Sequence, residues 1–122
     1  MIYFEIEMPL KEFNLNQYTQ KARSGWQVSA SHKKKTQEVI KYQLLDQKVR
    51  PIKTPCSVVA IWHTKARNFD LDNMLLKAVL DQLQAMDLLE NDNVNHIKEI
   101  THKFELNKEW QGLKIYFIEG VK

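Results

Sequence analysis

Little in this chain bends, breaks or cross-links it. Of its 122 residues three are Gly, three are Pro and one is Cys. So few Gly and Pro, beside a high hydrophobic content, argue against a disordered chain. A single cysteine excludes an internal disulfide framework. With apolar, β-branched residues beside it, Cys56 reads as a buried strand thiol rather than a nucleophile, and a reducing cytoplasm fits that usage. No apolar run approaches the ~18 residues that mark a membrane span. The N-terminus opens Met1-Ile2-Tyr3-Phe4-Glu5, where an acid interrupts the apolar stretch at once, so no signal peptide is expected.

What is present is a hydrophobic content of 43% beside 27% charged residues. That balance and length suit one domain over residues 1–122 with a single core. The net charge of +3 is unevenly spread. Residues 31–67 hold nine Lys/Arg against two acids, whereas residues 68–122 hold ten acids against six Lys/Arg. A basic block of that kind is either a solvated surface or the footprint of a polyanion partner.

Ile2, Phe4, Ile6 and Met8 alternate with Tyr3, Glu5 and Glu7, the period of a strand with one buried face, and Pro9 closes it. From Lys11 to Ser29 periodicity is lost, and Asn14, Asn16 and Ser24-Gly25 mark a long loop carrying Tyr18, Lys21, Arg23 and Trp26. Ser31 suits the N-cap of a helix running to about Asp46, with Val39, Ile40, Leu44 and Tyr42 on its packed side. Its first turn would then read His32-Lys33-Lys34-Lys35. Cations there oppose the helix dipole, so local stability does not account for the cluster; a phosphate backbone would, and the alternative is a well-hydrated helix start tolerated at small cost.

Ser57 to Trp62 is a continuous apolar run, the central strand, from which His63, Lys65 and Arg67 lead out. The stretch from Met74 to Met86 carries Leu76, Val79, Leu80, Leu83 and Met86 at core-facing helical spacing. Two closing strands, 95–106 and 113–119, follow and are expected to form an antiparallel hairpin. The order β-α-β-α-β-β predicts a small mixed α/β (α+β) domain, one mixed sheet with helices packed on it.

The chemistry concentrates at Arg67-Asn68-Phe69-Asp70-Leu71-Asp72-Asn73. Asp70 and Asp72 point to one side of an extended strand end and can reach one ion. Asp92 would complete that site or bridge to a second ion. Mg²⁺ takes hard oxygen ligands and one or two carboxylates from protein. Lys77 could stabilise charge on a phosphorane-like transition state or orient the nucleophile. The same residues also read as an ordinary helix start, with Asp72 or Asn73 as cap and Lys77 paired to Asp81.

Asp70-Leu71-Asp72-Asn73, then Lys77-Ala78-Val79-Leu80-Asp81, then Asn91-Asp92 resembles the core signature of the RusA family of Holliday-junction resolvases. Leu15-Asn16-Gln17-Tyr18, the Arg23 loop and the lysine-rich helix from Ala30 to Ile40 extend the resemblance over most of the chain. Two departures stand out. Lys77 lies five residues after Asp72, where the best-known member has four, and the usual acidic pair at the third site is Asn91-Asp92, with Glu90 as a reserve ligand.

The resemblance implies a phage- or prophage-encoded endodeoxyribonuclease in a bacterial cytoplasm, acting in DNA recombination and repair. It implies a homodimer that cuts two opposing strands of a four-way junction using Mg²⁺, with Mn²⁺ as a substitute. Asp70, Asp72 and Asp92 would be the metal ligands and Lys77 the catalytic lysine. Lys21, Arg23, Lys33, Lys34, Lys35, Lys65 and Arg67 are the candidate phosphate contacts. Two alternatives stay open: a metal nuclease for other branched DNA, such as forks and flaps, and a non-catalytic DNA-binding module.

Overall fold

The computed structural model describes residues 1–7, 26–65 and 76–120, the second stretch with side chains from residue 34 onward. Its elements are β1 (Ile2–Glu7), α1 (Trp26–Asp46), β2 (Cys56–Thr64), α2 (Lys77–Ala85), β3 (Ile97–Leu106) and β4 (Gly112–Glu119). The expected order and class hold: one four-stranded mixed sheet with two helices, an α+β domain. No helix among the described residues is long and apolar enough to cross a membrane.

Alternation in β1 and β4 sets the core face. Ile2, Phe4 and Ile6 lie opposite Phe117, Ile115 and Leu113, and Val58, Ala60 and Trp62 continue the same rows into β2. All of these are buried, and Ile40 and Leu44 of α1 with Val79, Leu80 and Leu83 of α2 join the same core. The expected apolar stripe of α2 is therefore present, with Leu76 buried and Met86 half-buried. Cys56 is a buried free thiol in β2, as its neighbours implied, and burial raises its pKa.

The closing hairpin does not form. Strand order is β1-β4-β2-β3, so β2 lies between the last two strands, antiparallel to β4 and parallel to β3. The apolar run of β2 explains this, since a strand buried on both faces needs both rows of its backbone groups paired. Residues 107–111 carry the chain across the end of β2, and the Asn107 N–H donates to the Thr64 carbonyl at 2.7 Å as it passes. β2 also runs further than the apolar run suggested, taking in His63 and Thr64. Gly112 is required where this crossing lands: a Cβ there would lie 2.2 Å from the Ile6 carbonyl oxygen and 2.8 Å from the Trp110 ring.

α1 begins at Trp26 rather than after Ser31, so 26–29 are helix, not loop, and Ser31 lies inside the helix rather than capping it. Serines inside a helix cost only about 0.5 kcal/mol each, too little to stop it. Lys33, Lys34 and Lys35 thus sit about two turns in, where the dipole no longer acts on them, so the expected unfavourable first turn of lysines is absent. Tyr42, expected on the packed side, is 66% exposed.

The end of α1 does something periodicity does not reveal. β1 is an edge strand, and two glutamines one helical turn apart cover its outer side. The Gln43 amide accepts from the Glu7 N–H at 2.7 Å and donates to the Glu7 carbonyl at 2.8 Å. Gln47 does the same for Glu5, at 2.9 and 2.6 Å. Four residues of helix rise about 6 Å and two residues of strand about 6.8 Å, so the two side chains stand in for a neighbouring strand.

Candidate active site

Lys77 is the first residue of α2, and Leu76 before it is already helical and provides no side-chain cap. Asp72 and Asn73, the candidate caps, lie outside the described residues. Spacing of four places Asp81 one turn above Lys77, and the Lys77 Nζ reaches the Asp81 Oδ1 at 3.3 Å. The same ammonium lies 3.5 Å from the Asp92 Oδ2. The second contact is the informative one, because helical spacing does not supply it. It requires the chain to fold back after α2 and present Asp92 to the start of that helix.

Two sets of bonds hold Asp92 there. The Ile52 N–H donates to the Leu88 carbonyl at 2.7 Å, and Leu89 is buried, which fixes the return. The Asn91 side chain then accepts from the Asn93 N–H at 3.1 Å, and the Asn93 side chain accepts from the Asn95 N–H at 3.0 Å. Side-chain bonds of this type let Asn and Asp stabilise turns in place of regular structure.

Asp81 and Asp92 are each about a quarter exposed, whereas Lys77 is 67% exposed. Hydrogen bonding to Asp81, then the charges of Asp81 and Asp92, raise the Lys77 pKa above the ordinary lysine range. Lys77 is therefore a fixed cation at neutral pH and not a proton acceptor. Glu90 points to His96, Oε2 to Nε2 at 3.6 Å, and its side chain is 79% exposed.

Of the sequence candidates, the structure brings together Lys77 and Asp92, and adds Asp81 to them. Asp70, Asp72, Lys21, Arg23 and Arg67 lie outside the described residues, as does the side chain of Lys33. Lys34 and Lys35 are exposed on α1, and Lys65 is exposed just beyond β2. None of these three makes an ion pair with a described residue.

Among the described residues no three His, Cys, Asp or Glu side chains converge as a metal site. Of the three candidate ligands only Asp92 lies among the described residues, and its carboxylate is a hard oxygen donor of the type that Mg²⁺ takes from proteins.

Sequence reasoning passed over His63. It is 5% exposed at the end of β2, and neither ring nitrogen has a hydrogen-bond partner. Trp110 packs edge-on against it at 5.6 Å, and Glu105 lies 3.8 Å away. Burial, and next the charge of Lys114, lower its pKa, which keeps the ring neutral. A lone histidine after an apolar run carries no sequence signal of this. The sheet face on which it lies also carries Glu5, Glu99 and Glu105 beside Lys103 and Lys114. That mixture gives phosphates no favourable surface, in contrast to α1.

No family model matches this chain, and no curated protein matches it.

Proposed function

We propose that this chain is a Mg²⁺-dependent, structure-selective endodeoxyribonuclease of the RusA type, which resolves four-way DNA junctions by paired symmetric nicks as a homodimer. The observation that carries the reading is the Lys77 ammonium held between Asp81 and Asp92. A surface helix stabilised by an ion pair one turn apart needs only Asp81. The additional reach to Asp92, across a fold-back built by its own hydrogen bonds, suits a site assembled for chemistry.

In this reading Asp70, Asp72 and Asp92 bind the ion. Mg²⁺, when bound, polarises the scissile phosphate and lowers the pKa of a bound water. Lys77 supplies a permanent positive charge for the oxygens of the pentacoordinate transition state, where preorganised donors count most. Asp81 keeps that ammonium in place on the helix. Lys21, Arg23, Lys33, Lys34, Lys35, Lys65 and Arg67 bind phosphates along the junction arms. A monomer offers one site, and symmetric nicks on two strands need two, which is the physical reason for a homodimer. Recombination and repair in a bacterial cytoplasm is the corresponding setting, and the same chemistry on forks or flaps is the neighbouring possibility.

Asp72→Asn separates this reading from a non-catalytic DNA-binding module. A resolvase variant keeps its affinity for the junction and loses Mg²⁺-dependent cleavage. Wild-type chain that binds the junction but never cuts it, with Asp72→Asn indistinguishable from it, would mean a binder.

A further inference from the structure

The two edges of the sheet are treated differently. The outer side of β1 is covered by the Gln43 and Gln47 amides. At the other edge β3 is ten residues long, and beyond Ile97, whose N–H donates to the Asn93 carbonyl at 2.9 Å, its outer row of backbone groups has no partner among the described residues. The strand contains no Pro or Gly, and its one irregularity lies at its beginning, opposite Cys56/Ser57. Beyond that it is regular, and it leaves Ile100 44% and Leu106 39% exposed. A long regular edge with exposed apolar side chains is a template for another strand, and proteins that remain single blunt such edges.

The side chains say which strand fits. After the irregularity Glu99, Thr101, Lys103 and Glu105 share one face of β3, and Ile100, His102, Phe104 and Leu106 share the other. An antiparallel pair related by a twofold axis at Thr101 sets Glu99 of each copy opposite Lys103 of the other. Moving the axis to His102 opposes Glu99 with Glu105, and moving it to Lys103 opposes that lysine with itself. Opposite charges directly across a ladder stabilise it and like charges destabilise it. An axis at Phe104 also opposes Lys103 with Glu105, but it overlaps only residues 102–106 of β3, whereas the Thr101 axis overlaps 97–105, so charge and length together favour Thr101. With the axis at Thr101, Ile100 also lies opposite His102 on the helix-side face.

We infer that the β3 edge is the docking surface for a second copy of this chain, paired antiparallel about Thr101 into one continuous sheet. The inference deepens the homodimer reading above and rests on it for the identity of the occupant. It assigns the main-chain bonds of β3 to association and the Glu99–Lys103 pairs to register.

The test is the dissociation constant of the full chain, measured by sedimentation equilibrium for wild type, Glu99→Lys, Lys103→Glu and the double variant, with circular dichroism to verify folding. Both residues are exposed, so the fold survives the changes. Each single variant places two like-charged pairs across the axis and is expected to weaken the dimer about 10- to 100-fold. The double variant restores opposite charges and returns close to wild type. A dimer that both single variants leave unchanged overturns the edge while the homodimer reading stands, and a double variant no tighter than the singles overturns the Thr101 register. Wild type that stays monomeric removes both. Loss of the nuclease reading, tested by cleavage, leaves these outcomes as they are.

Discussion

The two helices carry their lysines in opposite ways. On α1, Lys34 and Lys35 project into solvent with no described acid in ion-pair range. On α2, Lys77 is held by two carboxylates at 3.3 and 3.5 Å. An unpaired ammonium is free to meet a phosphate and contributes to affinity. A paired one is fixed in position and keeps its proton, and it contributes where a charge must already be in place as it develops. Under the proposed function the same residue type would serve binding on one helix and chemistry on the other, and the difference would lie in the partners.

The largest effect expected from this contrast is on cleavage. Lys77→Ala and Asp92→Asn should each lower the cleavage rate at saturating junction by roughly 10²–10³-fold, with junction affinity retained. An equal loss of affinity in gel-shift titrations would erase the distinction between the helices. The raised Lys77 pKa adds a pH prediction. The group must be protonated to act, and its folded pKa lies above the ordinary value. Lys77 therefore imposes no alkaline fall in rate until pH exceeds the usual lysine range, whereas Asp81→Asn brings that fall to lower pH.

Replacing Lys34 and Lys35 together by Ala should have the converse effect. Affinity falls, turnover at saturation is unchanged, and the log–log dependence of binding on salt becomes shallower by about one for each phosphate that is no longer neutralised. An unchanged salt slope would take DNA away from α1.

The remaining effects concern what anchors the helices, and they are smaller. Gln43→Ala or Gln47→Ala should lower unfolding stability by about 0.5–1.5 kcal/mol for each hydrogen bond removed, read from urea midpoints. Such a drop without a change in junction affinity would show that the anchored end of α1 is structural and its basic part is not. The contrast also needs a carboxylate paired purely for structure, and Glu119 is one. It accepts from Arg50 at 2.8 and 3.2 Å and from the Lys53 N–H at 2.7 Å, and it lies 3.3 Å from the N-terminal ammonium. The Arg50 bonds first, then the Lys53 N–H, hold its pKa down to about 2. A carboxylate depressed on folding contributes stability above its unfolded pKa, near 4.5, and loses it as pH falls toward 2. The stability gap between wild type and Glu119→Gln should therefore be constant at neutral pH and close over that acid window.

Much of the fold was legible because it follows local periods. Alternation marked β1, the apolar run marked β2, and the core-facing spacing marked α2. Pairing was not legible, since nothing local in residues 95–119 says that β2 will lie between the last two strands. That arrangement comes from β2 needing two neighbours. The start of α1 was obscured because Ser29 reads as loop and Ser31 as a cap, although helices tolerate serines at small cost. The Gln43 and Gln47 clamp left no trace in a pattern that separates only apolar from polar. At the site, Lys77 and Asp92 were legible as residue types at a spacing. That they touch, and that Asp81 shares the ammonium with Asp92, required the fold-back at Leu88 and Leu89.

The most direct measurement of the central claim sets labelled four-way junction, fork, flap and linear duplex against the full chain, each with Mg²⁺ and with EDTA. The account predicts paired, symmetric nicks in the junction with Mg²⁺ alone and little cutting of linear duplex. Duplex cut as readily as the junction, or no Mg²⁺-dependent cutting of any substrate, would contradict it.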